Sequence, residues 1–230
     1  MSLAVRFRCD PALIDALPRP RLARQALPEW LRTMPMTAHS DMHDAPVRTV
    51  KQCPPFIDAM RAGFAMPLPC DVHYADGAFS WDWTLPLPAT PGHPHAPISF
   101  HAAAQVSGAP FGEANLIKFV GFWTIELPPG WSLLATHPLN RDDLPFRTLT
   151  GLVDSDRFHQ IGLLFPARWL SDAACTLPAG TPVAQCIPVR RDALDLSFEA
   201  FGNAEAAAFS QVGDAVLATP GVYRDQYRGG

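Results

Sequence analysis

Proline decides most of what this chain can become. There are 25 prolines in 230 residues, spread along the sequence rather than gathered in one linker. Each removes a backbone donor and fixes φ, so helix interiors and central strands are interrupted wherever one falls. The expectation is a chain of short strands and many turns with few long helices. The residues between the prolines are 48% hydrophobic and 17% charged, enough apolar material for a sizeable core and too little charge for a mainly disordered chain. A net charge of −4 gives no electrostatic footprint for nucleic acid or for an anionic membrane surface. No apolar run reaches the roughly 18 residues of a membrane-spanning helix. Cys9, Cys53, Cys70, Cys175 and Cys186 form no C-x-x-C pair. With a short N-terminal stretch that carries two arginines and no long apolar segment, they read as reduced thiols of a cytoplasmic protein.

Three regions are expected. Residues 1–50 read as a helical, proline-broken extension, with Leu22, Leu27, Trp30, Leu31 and Met34 near one stripe and TAHSDMHDAP as a polar loop. Residues 51–190 read as a β-rich core. It opens with a short helix over 51–63, capped by Gly63, and a hairpin turning at Asp76-Gly77. The proline-rich LPLPATPGHPHAP follows as a loop. NLIKFVGFWTIEL, residues 115–127, has the β-branched and aromatic content of strands. Further short strands, split by Gly and Pro, follow up to Pro188. Residues 191–230 read as a C-terminal helix over 191–212 and a polar tail. The fold class is mainly β.

Two segments carry a family resemblance. GLVDSDRFHQI, residues 151–161, has a glycine, two aliphatics and Asp-x-Asp; AGTPVAQCIPV, residues 179–189, has a glycine turn, then Ala-Gln inside an aliphatic strand. In that order and spacing they resemble the third and fourth motifs of the dUTPase and dCTP deaminase superfamily. PPGWSLLATHPLNR, residues 128–141, resembles the second motif in its turn-strand-turn shape. The resemblance implies a β-clip core, a homo-trimer or other homo-oligomer, and a small, nucleotide-like ligand. It also implies Asp154 as the base that activates water and Gln185 as an amide holding phosphate or ligand, with Mg²⁺ bridging the phosphates. The sequence departs from the family at several places, including the glycine-rich tail and the deaminases' glutamate, which has no match in GLLFP. Thr136-His137-Pro138 stands where the family has an Arg-Ser pair, and Arg157 stands where it has a base-stacking aromatic.

The residues themselves leave alternatives open. Asp154 and Asp156 suit base chemistry or the shaping of a tight turn. His159 suits acid–base work, and if residues 157–159 alternate along a strand it shares a face with Arg157 that looks into the same ligand pocket as one of the aspartates. His137, Asn140 and Arg141 form a compact polar group that lines a pocket or a solvated loop, with Arg141 binding an anion or pairing with Asp142 or Asp143. Gln185 holds a ligand or ties two strands. His93 and His95, with His101 nearby, have spacing compatible with an iron or zinc site if a carboxylate joins them. Three functions follow: a dUTPase-like binder or hydrolase of a small ligand, a structural or assembly protein that keeps the fold, and a metal-dependent enzyme built on the histidines.

Overall fold

The computed structural model describes residues 2–109 and 116–228; Asn115 of the expected strand and Gly229-Gly230 of the tail lie outside the described residues. The chain divides into two compact units, residues 1–191 and 192–230.

The first unit is mainly β, with short elements throughout. Along the chain it forms β1 (Arg6–Arg8), β2 (Arg21–Leu22), α1 (Glu29–Thr33), β3 (Thr37–Ser40), β4 (Ala45–Arg48) and α2 (Pro54–Arg61). Then come β5 (Phe64–Pro67), β6 (Val72–Ala75), β7 (Ala78–Trp81), β8 (Ile98–Phe100), β9 (Leu116–Val120) and β10 (Thr124–Glu126). The unit closes with β11 (Trp131–Thr136), β12 (Phe146–Thr148), β13 (Gly151–Val153), β14 (Leu164–Trp169), β15 (Cys175–Leu177) and β16 (Pro182–Arg190). The two larger sheets run β13-β11-β16-β5-β2 and β12-β14-β9-β8. Every strand pairing described is antiparallel. Phe119, Phe146, Phe165, Ile117 and Leu133 are fully buried and fill one core.

Local chemistry explains several boundaries. The β6–β7 hairpin turns at Asp76 and Gly77, both at positive φ (51° and 78°), the conformation that twists a two-residue turn to match its strands. α2 ends before Gly63, whose φ is 66°; a Cβ there would lie 2.0 Å from the Cys186 carbonyl oxygen. The chain enters β5 only because this position has no side chain. β16 runs through Pro188, two residues past the expected end of the strand. β5 pairs with β16 only as far as Cys186. Beyond it the strand has β11 alone beside it, and an edge tolerates a missing donor.

The first fifty residues correct the expectation of a helical extension. Their described residues hold four strands, one five-residue α-helix and a short 3₁₀ helix over Ala23–Gln25, and they belong to the same compact unit as the core. Pro28 precedes α1 and Pro35 follows it closely, which leaves the Leu22–Met34 stripe room for little more than one turn. TAHSDMHDAP is a hairpin, β3 against β4, with Asp44 at φ 44° in its turn. Leu13 and Leu17 are buried in the core.

The second unit corrects the expected start of the C-terminal helix. Residues 192–202 have no regular structure, and the helix, α3, spans Asn203–Ala218. Gly202 is its N-cap, with φ −77° and ψ 179°. Leu194, Leu196 and Phe198 alternate with polar residues at a period of two, which does not fit a helical face. Among the described residues no helix is long and apolar enough to cross a membrane.

Candidate functional site

The three motif-like segments come together in one sheet. β11 pairs with β13 on one side and with β16 on the other, through Leu133↔Val153 and Thr136↔Gln185. Asp154 and Asp156 sit in the turn that leaves β13. Ser132 on β11 donates its hydroxyl to Asp154 Oδ1 at 2.7 Å, and the Gly130 amide donates to Asp156 Oδ2 at 2.9 Å. Arg191, just beyond β16, spans both carboxylates. It donates to Asp156 through both terminal nitrogens and lies 3.0 Å from Asp154 Oδ1. The Ser132 hydroxyl and Arg191 hold the Asp154 carboxyl below the ordinary carboxylate range, and Arg191 holds that of Asp156 well below it. The Asp156 side chain is 5% exposed and that of Asp154 49%. This arrangement ties the turn to the end of β16. A divalent cation does not fit there, because a guanidinium already sits between the carboxylates.

Gln185 is 3% exposed and its amide is fully engaged. Nε2 donates to the carbonyls of Ala59 and Ala62 at 2.8 and 2.7 Å, and Oε1 accepts the Leu139 amide at 3.0 Å. It joins the end of α2 to the turn after β11. His137 is also buried. Its Nδ1 accepts the Thr148 amide at 3.2 Å, which assigns the ring proton to Nε2, donating to the Arg141 carbonyl at 3.0 Å. Burial lowers its pKa from the usual value. Asn140 is at φ 58° in the turn, and Arg141 pairs with Asp143 through two bonds of 2.8 and 2.9 Å. Arg157 is exposed beside the Asp154 turn.

A cavity of about 810 Å³ lies at the other end of the third motif-like segment, within the range of small-molecule sites. Its walls are residues 8–10, 90–94, 120–122 and 159–162, with Thr124 and Leu164. Close backbone packing forms one side. A Cβ on Gly162 would lie 1.7 Å from the Gly121 carbonyl oxygen, and one on Gly121 would lie 2.5 Å from the Leu163 oxygen. Phe122 supports the 90–94 loop, its ring 5.5 Å from that of His93 and 5.3 Å from Trp83. Asp10 pins the same loop. Its carboxylate, 4% exposed, accepts the amides of Ala12, Ala89 and Thr90 at 2.7–3.0 Å. The bonds from Thr90 and Ala89 hold its carboxyl well below the usual range. Arg8 lies opposite Thr124 in the β1–β10 pair and meets Glu126 at 2.5 Å.

Of the residues singled out in the sequence, His93 and His159 line this cavity. His95 is exposed in the same loop. His101 is turned to Gln105, with Nδ1 at 3.2 Å from Oε1. Among the described residues no three His, Cys, Asp or Glu side chains are grouped to hold a metal ion. Sequence reasoning missed Asp10, Thr124, Gly121 and Gly162. The glycines carried a usable signal, since an isolated glycine in an apolar strand-like run marks close backbone approach. Asp10 and Thr124 carried none. In comparisons with known proteins, no family model matches the chain and no curated protein is significantly similar to it.

Proposed function

We propose that the chain is a divergent member of the dUTPase and dCTP deaminase superfamily, with a β-clip core, that binds a small molecule in the cavity beside His159. The observation that carries the reading is the placing of the third motif-like segment. Its aspartates are fastened by Arg191, while its far end, residues 159–161, walls the cavity. The side-by-side order β13-β11-β16 supports the family part of the reading, since it joins all three motif-like segments. Binding is the activity favoured. The fastened carboxylates and the fully bonded Gln185 already have protein partners.

The test is a titration of the full chain with deoxynucleosides and other small heterocycles, followed by amide resonances. The reading expects the largest shifts at Gly121, Thr124, His159 and Gly162. Shifts centred on Asp154 and Gln185 instead would overturn the cavity assignment.

One observation favours a second reading. The Asp154 carboxylate is half exposed and ionised, as a group that holds an attacking water must be. On that reading the chain hydrolyses a nucleotide, and Asp154→Asn abolishes turnover while the fold persists. Unchanged turnover in that variant would exclude it.

A further inference from the structure

We infer that the cavity takes an uncharged, largely apolar molecule bearing an amide or hydroxyl group, and that Thr124 and His159 recognise that group. This rests on the reading of the cavity as the binding site.

The charged groups at the cavity are already matched. Arg8 meets Glu126 at 2.5 Å, and Arg6 reaches the same carboxylate at 3.4 Å. Asp10 is satisfied by three backbone amides. The cavity wall thus holds one guanidinium and one carboxylate, each already bonded within the protein. A phosphate or carboxylate entering here would leave water without gaining an unmatched cation, which is costly for a charge. Much of the remaining lining is apolar or aromatic: Cys9, Pro91, Val120, Phe122, Ile161 and Leu164.

The unmatched groups are neutral. Thr124 Oγ1 and His159 Nδ1 are buried and have no hydrogen-bond partner among the described residues, and both residues belong to the cavity wall. A buried polar atom without a partner is costly, and a ligand that supplies one recovers that cost. A hydroxyl both donates and accepts, and an imidazole nitrogen does one or the other by tautomer. An amide or alcohol answers both, reached by rotation of the two side chains. The same chemistry describes the face of an uncharged nucleobase and excludes the phosphates of a nucleotide from this cavity.

The experiment is calorimetric titration of the full chain with matched pairs: naphthamide against naphthoate, and deoxyuridine against deoxyuridine monophosphate. The uncharged member of at least one pair is expected to bind about tenfold tighter than its charged partner or better. Thr124→Val, which removes the hydroxyl at nearly constant volume, is expected to weaken that binding about five- to tenfold without lowering the melting temperature. Equal or tighter binding of the charged members overturns the inference and leaves the cavity reading standing. Tighter binding of the uncharged member that Thr124→Val does not change overturns the assignment of Thr124. No heat, and no movement of the Gly121 and Gly162 amides with any of the four compounds at millimolar concentration, overturns both.

Discussion

Arg191 and Asp156, 35 residues apart in sequence, are joined by a two-pronged ion pair that fastens the turn after β13 to the end of β16. Asp156 is the more enclosed partner, and Arg191 holds its carboxyl well below the ordinary value. A depressed carboxyl contributes stability that is present above the unfolded value of about 3.9 and is lost as pH falls toward the folded value. The wild-type melting temperature should therefore fall with acidification below about pH 4. Asp156→Asn should melt lower at neutral pH and show a shallower acid limb. Parallel acid limbs in wild type and variant would remove the ion pair from the stability of this turn.

His137 makes a prediction of the same sign by a different route. Its Nδ1 accepts the Thr148 amide, so a second ring proton would face a donor. Burial also disfavours the charge. The unfolded chain takes up a proton near the ordinary value of about 6.5 before the folded chain does. This histidine's contribution to stability should be full at alkaline pH and decline as pH drops through and below that point. Nitrogen chemical shifts of the ring should report the neutral Nε2–H form at pH 6.5, whereas a charged ring there would contradict the assignment.

Gln185 is a structural joint in this account. Gln185→Leu keeps the volume but strips partners from the Leu139 amide and from two carbonyls at the end of α2. The expected loss is about 3 kcal/mol, or a melting temperature lower by about 6–12 °C. A stability change near zero would mean that these groups find other partners.

Gly162→Ala should disrupt the cavity and the sheet together. Its Cβ would meet the Gly121 carbonyl at 1.7 Å, so backbone must move, at a cost of about 3 kcal/mol. Gly213→Ala is the contrast. It lies inside α3 with nothing within 4 Å of the added atom, and it should raise helix stability by about 1 kcal/mol. Thermal melts of both variants, with the second followed by circular dichroism, check the pair.

The readable parts of this chain were those where a local rule had no competitor. Asp76-Gly77 turns a hairpin, and Gly63 takes the chain from α2 into β5, because positive φ leaves few other residues a choice. In the first fifty residues the apolar spacing is helical, but Pro28 and Pro35 close the helix after one turn. Residues 192–202 differ from the expected helix for the opposite reason. Helix-favouring residues there outweighed the period-two alternation of Leu194, Leu196 and Phe198, and Gly202 marks the real start. At the site, the Asp-x-Asp segment is legible as a tight turn, but its partner is not. Nothing local links Arg191 to residues so far away. The cavity was less legible still, since Asp10, Thr124 and His159 meet only through sheet pairing and loop closure.

The most direct measurement is a thermal melt of the wild type and of Ile161→Trp with deoxynucleosides, naphthamide and small uncharged heterocycles. Ile161 lines the cavity and is 59% exposed, so an indole there takes up part of the site with little strain on the core. A compound held at one hundred times its dissociation constant stabilises by about 2.7 kcal/mol, a rise of about 5–10 °C for a chain of this size. The account predicts that rise in the wild type with at least one compound and its loss in Ile161→Trp. An equal rise in both proteins, or none in either, would contradict it.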